Sequence, residues 1–309
     1  MGDTCSSPAE SSSSGDNELL LLSVDECWDQ QRLDPLETSA LLVLTCPSLG
    51  LQVCWFLLQS SATPYLFSLG IPDSIISLVW ATGPIFGAFA QPIIGLLSDE
   101  LQHPMGRRKP VIVSGASVVI VFLLAMACAD ELTRWTVAPS GDGRPTGHWQ
   151  TQTFAVFCVI LILFALQAYS VGVRALVVDN CPPSQQSKAA TWVMRWNVLG
   201  LAVLSTIGFL DAKSSSGEAG VATAFKILVL VAAFCSAATV GLVCYFVPHD
   251  NARFLDCQGP PLVKRVWSIS SPKELARRWA RLPPLTHKVC KVQLYAWSAW
   301  FPVLYYMST

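Results

Sequence analysis

Two short runs decide the fold: Gly95-Leu96-Leu97-Ser98-Asp99 and, after six intervening residues, Gly106-Arg107-Arg108-Lys109-Pro110. Each run adjoins a long apolar stretch, so the pair indicates a sharp reversal between two helices. Glycine permits a tight turn and close contact between helices. We expect Asp99 to stand at a helix end, where it pairs with a cation and locks one arrangement of the helices. The plainer interpretation is that the three cations only anchor the chain at a cytosolic membrane surface.

The sequence around these runs is apolar enough for a membrane. Of the 309 residues, 52% are hydrophobic and 13% are charged, whereas ordinary soluble domains carry about 25% charged residues. Six apolar stretches reach the ~20 residues of helix that a hydrocarbon core requires. They lie near 39–60, 75–97, 110–129, 153–176, 189–210 and 222–246, and a seventh begins near Val292. We therefore predict an all-α integral membrane protein.

The distribution of cations fixes the predicted orientation. With the amino terminus inside, the cytosolic segments hold fourteen Lys or Arg residues and the external loops hold three. The opposite orientation would place a large basic loop outside, against the positive-inside rule. The sequence thus predicts a multi-pass membrane protein with a cytosolic amino terminus.

Four regions follow from this pattern. Residues 1–37 are Ser-rich and acidic and are predicted to form a disordered cytosolic tail. Residues 38–247 are predicted to form a six-helix bundle. Residues 248–290 are predicted to form a cytosolic central loop, and residues 291–309 the truncated start of a seventh membrane helix. In the central loop, residues 271–282 have the pattern of a short helix, either at the membrane surface or as a solvated linker. Residues 16–21 of the tail have the form of an acidic dileucine signal. We expect the plasma membrane, with a vacuolar or endosomal membrane as the alternative.

Several function classes are disfavoured. The net charge of −1 gives no pull toward nucleic acid. The cysteines show no metal-ligand spacing, and neither a His/Glu metal cluster nor an activated nucleophile is visible. We therefore expect no enzyme activity, no cofactor and no metal site.

Polar residues inside the apolar stretches are the candidate binding groups. Arg174 carries most weight, because a charge in a membrane span is costly and usually has a partner or a function; the alternative is that it snorkels to the cytosolic surface. Gln167 and Tyr169 precede it and are expected to face the same cavity, as aromatic and amide groups together suit a sugar. Gln91 suits either a sugar hydroxyl or a contact between helices.

Four further candidates complete the predicted binding set. Trp55 and Gln59 are four residues apart and so share one face of the first helix. Asn197 lies in the fifth stretch and Trp300 in the seventh. Each of these residues, taken alone, is more often a packing residue than a ligand contact.

Taken in order, the motifs resemble those of the sucrose/proton symporters of the major facilitator superfamily, and in particular a fungal and animal branch that includes α-glucoside transporters. The resemblance covers residues 40–247 and the last fifteen residues. Its motifs are Leu51–Trp55, Thr63–Tyr65, Leu69–Pro72, Trp80–Pro84, Gln91–Gly95, Ser98–Asp99, Gly106–Pro110, Arg174–Leu176 with Asp179, Asn197–Gly200 and Ala299–Pro302.

This resemblance implies a fold of twelve helices in two pseudo-symmetric halves, with a sugar bound between them at the membrane midplane. The present chain would supply the amino-terminal half and the start of a seventh helix. The resemblance also implies that Arg174 belongs to the transport machinery, and it extends the conformational motif to Gly95, Asp99, Gly106, Arg107, Arg108 and Asp179.

Two positions depart from the family pattern. Leu163 stands where the family has an intramembrane Asp, eleven residues before Arg174, and Leu58 stands where relatives have Glu or Gln. A proton-coupled carrier needs a group that gains and loses a proton within the pathway. Leu163 therefore weighs against proton coupling, and Leu58 weighs against sucrose itself as the substrate.

Two functions remain open at this point. The first is a sugar permease that works by alternating access, coupled to protons or facilitative. The second is a non-transporting membrane sensor or regulator derived from one. The expected partners are a sugar, protons, the lipid bilayer, and a second half-transporter or a second copy of the chain. In either case we predict an open groove lined by the first, second, fourth and fifth helices.

Overall fold

The computed structural model describes residues 36–101, 103–129, 131–132, 148–214, 218–247, 280 and 284–307. Its long elements are helices, here named α1 (Thr38–Ser68), α2 (Asp73–Glu100), α3 (Lys109–Ala127), α4 (His148–Asn180), α5 (Gln186–Ser214), α6 (Glu218–Phe246) and α7 (Pro284–Met307). Within this described part, α1 to α6 are long and apolar enough to cross a membrane. The predicted all-α membrane fold is confirmed.

Some predicted features lie outside the described residues. These are the acidic tail with its dileucine pattern at 16–21, and most of the central loop, including 271–279. Helix α7 begins at Pro284, seven residues before the predicted boundary at 291. Proline suits this position, because the first turn of a helix has no intrahelical use for the missing N–H group.

Helix α1 is longer than its apolar stretch and is irregular. It passes through a π-helical turn at Leu58–Ala62 and continues as Thr63–Ser68, beyond the predicted end near residue 60. The reason is Pro64, which cannot donate a hydrogen bond to the carbonyl of Ser60 and whose ring would crowd that carbonyl. A wider π turn relieves both problems without ending the helix.

The bundle consists of two three-helix groups. Helix α1 packs against α5 and α6, α4 packs against α2 and α3, and α3 joins the groups by packing against α6. Small residues allow the closest approaches. A Cβ atom at Gly115 of α3 would lie 2.8 Å from the backbone nitrogen of Tyr169 in α4, and one at Gly50 of α1 would lie 2.7 Å from Cα of Ser236 in α6. Such close packing replaces the hydrophobic driving force that lipid does not supply.

The outer helices of the two groups are the least covered. Of the most apolar window of each helix, 22% is buried in α2 and 11% in α5, compared with 61% in α1 and 56% in α4. Large apolar side chains such as Phe89 of α2 and Val198 of α5 are 71% and 65% exposed. The uncovered faces thus belong to two of the four helices for which the sequence predicts a groove.

Candidate functional site

The reversal between α2 and α3 brings the conformational motif together. Gly106 has φ of 91°, which favours glycine, and its N–H donates to the carbonyl of His103 at 2.9 Å. The chain then enters α3 directly, with Arg108 as the residue before its first turn. Ser98, on the last turns of α2, is fully buried and its hydroxyl faces this turn, 3.4 Å from the carbonyl of Arg107.

Arg108 is the central residue of this cluster. Its guanidinium pairs with Asp99 of α2 at 2.5 Å and with Asp179 of α4 at 2.6 Å, and it donates to the hydroxyl of Ser98 at 3.0 Å. Partial burial would lower the pKa of Arg108, but hydrogen bonds and charge interactions with Asp179 and Asp99 outweigh it and raise the pKa. We call Ser98, Asp99, Arg108 and Asp179 the arginine cluster. It ties the ends of α2 and α4 to the start of α3.

The next residue, Lys109, makes a contact that the sequence did not predict. Its side chain is 2% exposed, and its ammonium group donates to the carbonyl of Val247 at 2.6 Å and to that of Cys244 at 3.4 Å. These are carbonyl groups at the end of α6, which lack intrahelical partners and attract cations. Lys109 is therefore a cap for α6 and not only a surface anchor. A Lys inside a cationic run carries no sequence signal for this role.

Near the middle of the bundle, Gln91 of α2 and Gln167 of α4 form a direct pair. The amide nitrogen of Gln91 donates to the amide oxygen of Gln167 at 2.6 Å, and Gln167 donates to the carbonyl of Gly83 at 3.5 Å. Gln167 is buried, whereas Gln91 is half-buried. Of the two roles considered for Gln91, the structure shows the contact between helices.

Tyr169 does not face the same space as Arg174. It is fully buried, and its hydroxyl donates to the carbonyl of Pro47 at 3.2 Å and lies 3.5 Å from that of Ser236. It joins α4 to α1 and α6. The structure thus packs Tyr169 between helices, and its contact with a sugar stays a prediction. Hydropathy does not distinguish a helix face that packs on protein from one that is open.

Arg174 is exposed, and no acidic side chain pairs with it among the described residues. It lies five residues, or about 7–8 Å along the helix, before Asp179 of the arginine cluster. Asn197 of α5 is half-exposed, three residues before Gly200, which packs closely on α1. Trp300 belongs to α7, but its side chain lies outside what the structure describes.

On α1, the side chains of two neighbouring residues in the π turn have different surroundings. Leu58 is fully buried in the core, whereas Gln59 is exposed and Trp55 is half-exposed one turn earlier. Leu58 is therefore a packing residue, and Gln59 supplies the amide available on this part of α1. Leu163 is likewise buried, with its Cδ2 atom 3.8 Å from where a Cβ of Gly83 would lie.

Comparison with known proteins agrees with this architecture. Residues 44–256 match the family described as MFS/sugar transport protein. The chain is 27% identical over 274 residues to a general alpha-glucoside permease of Schizosaccharomyces pombe, covering 87% of this chain and 47% of the relative. It is 24% identical over 286 residues to sucrose transport protein SUT1 of Oryza sativa subsp. japonica, covering 88% and 52%.

A third relative, sucrose transport protein SUC3 of Arabidopsis thaliana, is 28% identical over 214 residues, covering 64% of this chain and 36% of the relative. The chain thus spans about half the length of the curated relatives it matches. These relatives are permeases and transporters rather than enzymes. On the strength of the family match and the six-helix bundle, the chain belongs to the MFS/sugar transport protein family.

Proposed function

We propose that this chain is the amino-terminal half of a sugar permease, which moves sucrose or another α-glucoside by alternating access. The observation that carries the proposal is the arginine cluster. One guanidinium joins carboxylates from two other helices at one end of the bundle. Separating these charges costs free energy, so the cluster favours one conformation and its opening permits the other.

The sugar site of this proposal lies on the side of the bundle left open. We assign to it the exposed or half-exposed residues Trp55, Gln59, Arg174 and Asn197. Gln91 and Gln167 act behind them by holding α2 to α4, and Trp300 is kept as a proposed contact from α7. An indole ring stacks on the apolar face of a sugar while amides and a guanidinium bind its hydroxyl groups.

The uncovered faces of α2 and α5 support a second six-helix half as the partner. In this arrangement the two halves enclose the sugar between them, near the middle of the membrane. The amino termini of α1, α3 and α5 lie in the cytosol in this proposal, as the positive-inside rule predicts. The plasma membrane is the proposed location.

The proposal leaves two modes of sugar transport to be compared, one coupled to protons and one facilitative. The resemblance to proton symporters supports proton coupling, whereas the distribution of carboxylates weighs against it. In the helices that the structure describes, Asp and Glu occur only in the first or last turn, as at Asp73, Asp99 and Asp179. Asp179 already pairs with Arg108, and the interior position 163 is a buried leucine.

The experiment is uptake of radiolabelled sucrose and maltose into proteoliposomes reconstituted from membranes of cells that express the chain, so that the proposed partner half is included, with and without an imposed proton gradient. We expect saturable uptake that the Arg108→Gln change reduces at least tenfold. Loss of uptake on adding an uncoupler would establish coupling, and unchanged uptake would establish facilitated transport.

A second candidate function is a membrane sensor or regulator, favoured by the buried Leu163. It predicts sugar binding without flux. Binding is measured by quenching of tryptophan fluorescence in detergent, with Trp55→Phe as the test variant. Binding that Trp55→Phe weakens, without flux in the proteoliposomes, would overturn the permease in favour of the sensor. Absence of both would overturn both readings.

A further inference from the structure

A second cation lies within a membrane helix, on α5. Arg195 is exposed, and its Cζ atom lies 4.4 Å from the centroid of the Trp192 ring. No acidic side chain pairs with Arg195 among the described residues. A charged side chain within a span is costly unless it reaches a partner or the membrane surface. The cation–π contact supplies only part of the compensation.

The depth of Arg195 places it within reach of one surface. Helix α5 has 29 residues, and a hydrocarbon core takes about 20 of them, so four or five project at each end of a centred helix. Lys188 then lies outside the core, Trp192 lies at its boundary, and Arg195 lies about one turn inside. Side chains of a helix lean toward its amino terminus. Arg195 therefore leans toward Trp192 and the nearer surface.

These three residues share one face of α5. Their spacings of four and three residues put Lys188, Trp192 and Arg195 in a single stripe. Gly200, whose Cβ would lie 3.0 Å from a methyl group of Val53, marks the face that packs on α1. Arg195 precedes Gly200 by five residues, which turns it about 140° away from that contact. Leu199 continues the stripe deeper into the membrane and is 47% exposed.

We propose that this stripe binds the headgroup of an anionic phospholipid in the cytosolic leaflet. Arg195 pairs with the phosphate, Lys188 lies nearer the membrane surface and adds to the attraction for a negatively charged headgroup, Trp192 lies at the level of the ester groups, and an acyl chain runs along Leu199. Charge complementarity favours an anionic lipid as the ligand. The cytosolic leaflet is negatively charged, and the stripe presents two cations and an aromatic ring near the surface of that leaflet. The proposal is independent of sugar transport and rests on the cytosolic placement of the start of α5. The lipid takes only the stripe of Lys188, Trp192, Arg195 and Leu199, and the rest of the exposed surface of α5 is left to the proposed second half.

The test is lipid retention by the full chain purified in detergent. Native mass spectrometry counts bound lipid after addition of phosphatidylglycerol or of phosphatidylcholine. We expect the wild type to retain phosphatidylglycerol selectively and Arg195→Gln to lower that retention about fivefold, the effect of one cation near a charged surface. Arg195→Lys should keep most of the retention, and Trp192→Leu should weaken it less than Arg195→Gln.

Lys226→Gln is the matched control, because Lys226 is a membrane-helix cation that pairs with Glu131 at the other end of the bundle. It should leave retention unchanged. Equal retention by Arg195→Gln and the wild type would overturn the proposal, as would an equal loss in Lys226→Gln. If Arg195→Gln instead reduced chemical cross-linking between two copies while lipid retention stayed the same, the stripe would be a protein interface and the lipid site would be wrong.

Discussion

Arg108 binds two carboxylates that differ in burial. The side chain of Asp179 is 28% exposed and that of Asp99 is 46% exposed. Solvent and salt screen the more exposed pair more strongly. The two contacts therefore should not contribute equally to stability, although both belong to one motif.

We expect Asp179→Asn to destabilise the bundle by about 1–3 kcal/mol and Asp99→Asn by less than about 1 kcal/mol. Thermal unfolding in detergent, followed for both variants at low and at 0.5 M salt, measures the difference. High salt should remove more of the Asp99 effect than of the Asp179 effect. An equal or larger loss in Asp99→Asn would contradict this ranking of the two pairs.

The Gln91–Gln167 pair can be tested by a double-mutant cycle. Gln91→Leu leaves the buried amide oxygen of Gln167 without its donor, which costs about 1–3 kcal/mol. Changing both residues to Leu removes the unsatisfied group as well, so the double variant should be more stable than the sum of the single losses predicts. Denaturant unfolding of the four proteins gives the coupling free energy. Strict additivity would mean that the 2.6 Å contact contributes nothing.

At the residue scale, the sequence predicted which residues carry charge at the helix ends better than it predicted which partner each side chain contacts. It identified Asp99 and the cations after Gly106, because a charge beside a glycine turn at a helix end is unusual. It could not assign Arg108 to the arginine cluster and Lys109 to the end of α6, since adjacent cations differ only in the direction of their side chains.

At the scale of helices, contact with α4 depends on a single missing side chain in α3. A Cβ at Gly115 would lie 2.8 Å from the nitrogen and 3.1 Å from Cα of Tyr169, both backbone atoms that cannot move alone. Gly241 of α6 is the matched control, because nothing lies within 4 Å of its Cβ position.

We expect Gly115→Ala to destabilise the protein by about 1–3 kcal/mol through overpacking. Gly241→Ala should be neutral or stabilise by up to ~1 kcal/mol, since alanine favours helix. Unfolding of both variants in the same detergent provides the comparison. Equal stability of the two would show that α3 and α4 can separate without cost at Gly115.

The existence of α1 to α6 followed from hydropathy, but their ends did not. Hydropathy reports only the apolar part of a helix. The backbone hydrogen bonds of the helix continue into polar residues until a turn ends it. The largest difference is in α1, whose apolar stretch ends near residue 60 whereas the helix continues through Pro64 to Ser68. A proline predicts an interruption, but the sequence does not show whether a π turn absorbs it.

For the whole molecule, the uncovered faces of α2 and α5 predict a partner. A photo-reactive phenylalanine analogue in place of Phe89, which is 71% exposed on α2, should cross-link to protein. The same analogue at Val121, which is 59% exposed on α3, should react mainly with lipid. The readout is the mass of the product after irradiation of membranes. Lipid products alone at both positions would mean that α2 faces the bilayer.

Which helix faces are open could not be predicted in full from the sequence. In a membrane, residues against lipid and residues against protein are both apolar, so periodicity does not separate them. Glycine and polar residues gave partial information about which helix faces pack on protein. The division into two three-helix groups, each with its central helix α1 or α4, emerged only from the packing.

Helices α3 and α6 are held to each other at both ends of the bundle. Lys109 binds the end of α6 through the carbonyl of Val247, and Glu131, just after α3, pairs with Lys226 of α6 at 2.5 Å. A helix pair joined near both ends resists a change in its crossing angle more than a pair joined at one end. Backbone amides along the α3–α6 contact should therefore exchange their hydrogens more slowly than those of α2 and α5.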